Sequence, residues 1–170
     1  MRKFVQYIFL FILLFIAFAC SHKENKTNRL VVNNGLLYQK DSTKPFTGRE
    51  IGNVQDKKIE YDVVNGMKTG EFKVLYTNGN VQMAGKMVNN MNEGLWKYFY
   101  NNSQLESEGN FIDDLPEGKW RWFYNNGALK EQGFYSKGKR NGKWIMYGES
   151  GNIAKVLNFT DGVEKNEVKK

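Results

Sequence analysis

Gly70, Gly94, Gly118 and Gly142 recur at intervals of 24 residues, and two residues after each stands an aromatic: Phe72, Trp96, Trp120 and Trp144. The same register carries Tyr76, Tyr100 and Tyr124, then Val81, Leu105, Leu129 and Ile153, then Gly85, Gly109 and Gly133. Met87, Phe111, Tyr135 and Phe159 complete the pattern. No insertion interrupts it across four units, 66–89, 90–113, 114–137 and 138–161. A degenerate unit at 43–65 precedes them, with Tyr61 in the slot that is glycine in the next three. A fixed period of this size means a repeat array. Each unit buries its apolar side only against its neighbours, and terminal units depart from the common pattern.

Within a unit the alternation has period two, which is strand chemistry. Trp120, Trp122 and Tyr124 are expected on one side, Arg121 and Phe123 on the other. Asn125-Asn126-Gly127 supplies a reversal, because Asn and Gly tolerate the positive φ of hairpin turns. The return strand is expected to show Leu129, Glu131, Gly133 and Tyr135 on one side and Lys130, Gln132 and Phe134 on the other. Each unit is thus a β-hairpin. One hairpin alone is marginal in water, so the hairpins are expected to join into an all-β, antiparallel, single-layer meander. Seventeen glycines against two prolines fit a chain of tight reversals.

Stacking the units lines up Phe72, Trp96, Trp120 and Trp144 with Tyr76, Tyr100 and Tyr124 as the repeat core. Gly109 and Gly133 leave space for an adjacent indole. The opposite face carries Lys73, Lys97 and Arg121 at equivalent positions, beside Leu75, Phe99, Phe123 and Tyr147. A ladder of cations interleaved with aromatics suits stacking on sugars or bases, or an acidic partner, and Lys73, Lys97, Phe99, Arg121, Phe123 and Tyr147 form the candidate interaction face. Nucleic acid is not an expected partner. The net charge of +7 is spread among interleaved acids rather than gathered in a patch.

The amino terminus carries a different signal. Arg2 and Lys3 precede an apolar run over residues 4–19, short for a membrane span of about 20 residues and suited to a secretory signal. The run ends at Ala17-Phe18-Ala19-Cys20, and Cys20 is the sole cysteine. This resembles the bacterial lipoprotein lipobox, whose cysteine becomes the lipid-modified first residue of the mature chain; Ala17 and the bulky Phe18 depart from it. The expected layout is a signal peptide at 1–19, a lipidated Cys20 with a flexible tether at 20–35, a repeat domain at 36–163 and a polar tail at 164–170. The expected location is the cell envelope of a bacterium, as an outer-membrane or cell-surface lipoprotein.

The string G-x-W-x-x-F-Y-x-N-G-x-L, its return strand with glycine two residues before Phe or Tyr, and the lead-in "LLYQKDSTKPFTGRE" at 36–50 resemble the bacterial MORN-repeat variant, whose proteins are grouped as YwqK-family antitoxins. The resemblance covers about 36–163 and implies a binding scaffold of the antitoxin or immunity kind. The lipobox departs from a cytosolic antitoxin and moves any toxin neutralisation outside the cytoplasm.

No catalytic constellation is expected. His22, the single histidine, lies in the tether, so neither a Ser–His nor a Cys–His pair can form. No His/Cys cluster offers a metal site, no cofactor motif is present, and Asp113-Asp114 and Glu106/Glu108 read as turn and solvated-strand residues. Two functions follow: a membrane-anchored, non-catalytic scaffold for a protein partner, or a glycan- or cell-wall-binding module.

Overall fold

The computed structural model describes residues 30–165. The expected signal peptide, Cys20, the first part of the tether and residues 166–170 lie outside them. The described residues form thirteen strands and no helix. A first hairpin, β1 (Leu30–Asn33) with β2 (Leu36–Gln39), is a two-stranded sheet of its own. The degenerate unit supplies β3 (Gly48–Val54) and β4 (Lys57–Val64). The four regular units supply β5 (Met67–Leu75) and β6 (Val81–Val88), β7 (Met91–Phe99) and β8 (Leu105–Ile112), β9 (Leu115–Phe123) and β10 (Leu129–Ser136), and β11 (Lys139–Tyr147) and β12 (Ile153–Thr160). A short β13 (Val163–Glu164) follows. From β3 to β13 every strand lies antiparallel beside its sequence neighbours in one eleven-stranded sheet. This is the expected all-β meander.

Residues 30–35, expected in the tether, are structured instead. Asn34 and Gly35 take φ of 48° and 78°, the two-residue turn that an Asn-Gly pair favours. The flanking Leu30-Val31-Val32 and Leu36-Leu37 then pair across it.

Two kinds of reversal alternate along the sheet. Between units the turns have two residues, both at positive φ: Asn89 and Asn90, Asp113 and Asp114, Lys137 and Gly138. Within the regular units the loop is longer, and only the residue before its last has positive φ: Gly79, Ser103, Gly127 and Gly151. Ser103 sits at 69°, where a side chain is strained. Ser103→Gly is therefore expected to stabilise the protein by about 1 kcal/mol, read as a rise in the urea midpoint with unchanged slope.

The ladder is irregular at two fixed places in each unit. Leu129 lies opposite Phe123 but Glu131 opposite Trp122, so Lys130 is an extra residue. The bulge turns Leu129 to the face of Phe123, not to that of Glu131 and Tyr135 as strict alternation suggested. Val81, Leu105 and Ile153 are turned likewise, opposite Leu75, Phe99 and Tyr147. The second irregularity lies between units. Glu108 faces Arg121 and Asn110 faces Glu117, which leaves two extra residues on β9 around Gly118. Gly118 has φ of 70°, the left-handed conformation that the bulge requires. This explains the strict 24-residue glycine.

The bulges and the core are one device. Trp96, Trp120 and Trp144 are buried, and each lies over the glycine of the preceding unit's return strand. A β-carbon placed on Gly109 would lie 2.1 Å from Cδ2 of Trp120; Gly85 and Gly133 meet Trp96 and Trp144 at 2.2 Å. Each indole N–H then donates to the carbonyl of the following residue, Lys86, Asn110 or Phe134, at 3.1 Å. Phe111 and Tyr135 meet the next indole edge-on at 5.1 Å. Burying one such aromatic removes roughly 150–250 Å² from water, about 4–6 kcal/mol before entropy is subtracted. Most of the core energy therefore sits between units.

Tyr76, Tyr100 and Tyr124, expected in the same core row, are half-buried. Their hydroxyls donate to the carbonyls of Phe99, Phe123 and Tyr147 in the next unit at 2.7–2.8 Å, so they clamp hairpin ends together. The array's two ends depart from this scheme. Tyr61 fills the first glycine slot and stacks on Phe72 at 6.1 Å; Leu157 fills the last, opposite Trp144.

Candidate binding face

One side of the sheet is taken up by the indole row. The other side presents rows of directly opposed side chains that cross the strands. One such row runs Glu60, Lys73, Ala84, Lys97, Glu108, Arg121. Lys73, Lys97 and Arg121 are brought together as equivalent positions, yet acids stand among them. Glu108 accepts a hydrogen bond from the Arg121 guanidinium, and its side chain is only 12% exposed. Lys73 pairs with Glu71 at 3.0 Å. Hydrogen bonding from Lys58, reinforced by Arg49, holds the Glu60 carboxyl below its usual range. The expected ladder of cations is thus a row of mixed charge, with Ala84 between Lys73 and Lys97. The return-strand bulge and register, invisible in a period-two pattern, set Glu108 between Lys97 and Arg121. Among the described residues, Lys97 makes no ion pair.

The second row on this face is apolar. Phe99 lies opposite Leu105, and Phe123 opposite Leu129, with the Arg121 guanidinium 5.8 Å from the Phe123 ring. Sequence alternation assigned Leu105 and Leu129 to the indole side, so half of this row was missed. Tyr147 lies in the last unit, and its hydroxyl is engaged by Gln132 at 2.7 Å. Leu95, absent from the expected site, projects here with 50% of its surface exposed.

These side chains enclose a groove of about 590 Å³ lined by Lys73, Ala84, Lys86, Leu95, Lys97 and Phe99. Its floor opens at Ala84, the one small residue in the row. The depression continues on one side past Val81 and Ser103 and on the other past Leu95 to Glu108, Lys119 and Arg121. Lys73, Lys97 and Phe99 therefore share one groove, Arg121 borders its extension, and Tyr147 stands apart. The groove offers an apolar floor with cations and acids at its rim, a chemistry for holding a ligand. Among the described residues no three His, Cys, Asp or Glu side chains converge as metal ligands would.

The family model described as the MORN repeat variant matches residues 92–113, 116–137 and 140–161. These segments carry Trp96, Trp120 and Trp144 with their bulge glycines. The earlier units, where Phe72 and Tyr61 replace the indole and the glycine, fall outside the match. No curated protein matches the chain.

Proposed function

We propose that this chain is a non-catalytic repeat scaffold that holds a protein partner against the face opposite its indole row. The observation that carries the reading is the groove over Ala84, with Leu95 and Phe99 exposed to it and Lys73 and Lys97 at its rim. An uncovered sheet face with apolar side chains and mixed charge fits a protein surface better than a polyanion, because Glu108 already neutralises Arg121. The match of three units to the MORN repeat variant supports a binding scaffold. In this reading Cys20 anchors the scaffold by lipid to a bacterial cell envelope, and the partner is a toxin met outside the cytoplasm. The rival occupant is a glycan stacked on Phe99 and Phe123.

Photo-crosslinking residues placed at Leu95 and Phe99, with Glu149 as a control, test this in cells. Discrete adducts that protease removes are expected at Leu95 and Phe99 and not at Glu149. Adducts removed by glycosidase instead would establish the glycan reading, and labelling that is absent or equal at all three positions would end both. Cys20→Ala is expected to move the protein from the membrane fraction to the soluble one. Unchanged membrane retention would end the anchor reading.

A further inference from the structure

The two ends of the eleven-stranded sheet can be compared through the repeat itself. Inside the array each return strand takes the next long strand in one register: Ala84 opposite Lys97, Glu108 opposite Arg121, Gln132 opposite Ile145. The next member of the return-strand series is Val156 on β12. The long-strand series begins one step earlier, on β3. There Glu50 lies opposite Tyr61 as Phe72 lies opposite Gly85, so Glu50 holds the aromatic position and Ile51 the position of Lys73.

Both edges are open among the described residues. β3 ends the sheet, and β13 covers β12 only at Phe159 and Thr160, with Lys165 donating to Asn158. Open edges leave a row of backbone donors and acceptors unpaired. Ile51 and Val156 are 49% and 43% exposed. A further indole-bearing strand cannot dock on β12, because Leu157 fills the space that the glycines leave elsewhere. β3 carries no indole.

We infer that a second copy of this chain docks end to end, with its β3 on β12 in the register of the repeat. That register sets Ile51 of one copy opposite Val156 of the next, and Gly52 opposite Lys155. Glu50 then lies over Leu157, beside Lys155, an acid against a base. The contact joins two different surfaces, so it propagates in one direction rather than closing as a symmetric pair. It is independent of what occupies the opposite face.

The test uses the full chain in detergent, with protein mass followed by light scattering against concentration. Mass is expected to rise from one chain towards multiples. Glu50→Lys and Lys155→Glu, each placing like charges at the junction, should each raise the concentration for association at least about tenfold. Mixing the two variants restores an opposite-charge pair at every junction and should restore association. Val156→Lys, on an exposed site, should block it without changing tryptophan fluorescence. A single-chain mass at all concentrations, association untouched by either charge variant, or no recovery on mixing would overturn the inference. Loss with Val156→Lys but not with Ile51→Lys would replace it by symmetric β12 pairing.

Discussion

Gly109→Ala is expected to destabilise the protein by about 3 kcal/mol or more, well beyond the usual cost of an alanine in a strand. The added carbon would sit 2.1 Å from the Trp120 indole, and the ring cannot yield sideways because Phe111 and Trp122 hold it at 5.1 and 5.7 Å. The indole must lift, which also gives up its hydrogen bond to Asn110. Urea denaturation of the two proteins reads the loss directly. The first unit shows what a filled slot tolerates: Tyr61 takes the glycine's place and its partner shrinks to Phe72, the two rings stacked at 21°. Gly109→Tyr combined with Trp120→Phe should therefore recover part of the loss. The coupling between the two sites should exceed about 0.5 kcal/mol in a double-mutant cycle. Additive effects would show that the slot and the indole are not one unit.

Trp144→Ala is expected to cost about 3–5 kcal/mol. Its side chain is 0% exposed, more completely enclosed than Trp96 or Trp120. The Arg140 guanidinium covers one side of the ring at 4.1 Å, with Tyr135, Trp122 and Phe159 around it at 5.1, 5.5 and 6.0 Å. Arg140 and Phe159 belong to the last regular unit, with no further one beyond them to close the gap. The damage should thus concentrate at the carboxy-terminal end, with amide exchange accelerating along β12 before the strands of the first units respond. A loss below about 1 kcal/mol, or exchange that rises uniformly over the sheet, would contradict this account.

Much of the fold was legible because the repeat writes each constraint several times. The pairing of Trp with a preceding glycine, the Asn- and Gly-bearing turns and the strand alternation each recur. What stayed hidden were single-residue shifts. Lys130 looks like any outward residue of a strand, yet as the extra residue of a bulge it turns Leu129 to the face of Phe123. Glu108 looked solvated because its partner lies on the next hairpin, 13 residues on, and only the inter-unit register brings Arg121 to it. The structure sets Lys73, Lys97 and Arg121 in one row opposite the indoles, but with a charge and an apolar content that strict alternation did not give, for that reason. β1 was missed because the polar run before it was extended through an Asn-Gly pair that starts a hairpin.

Since each indole is seated in the unit before its own, the modular piece of this protein is not the hairpin that the eye picks out. A segment cut at the Asp113-Asp114 turn loses the Gly109–Trp120 contact, whereas one cut in the loop at 101–103 keeps it. Lengthening the chain by duplication of an indole-bearing unit succeeds only where a vacant seat awaits its ring. Leu157 occupies the last one, and so the copy number of the array is punctuated by a single side chain.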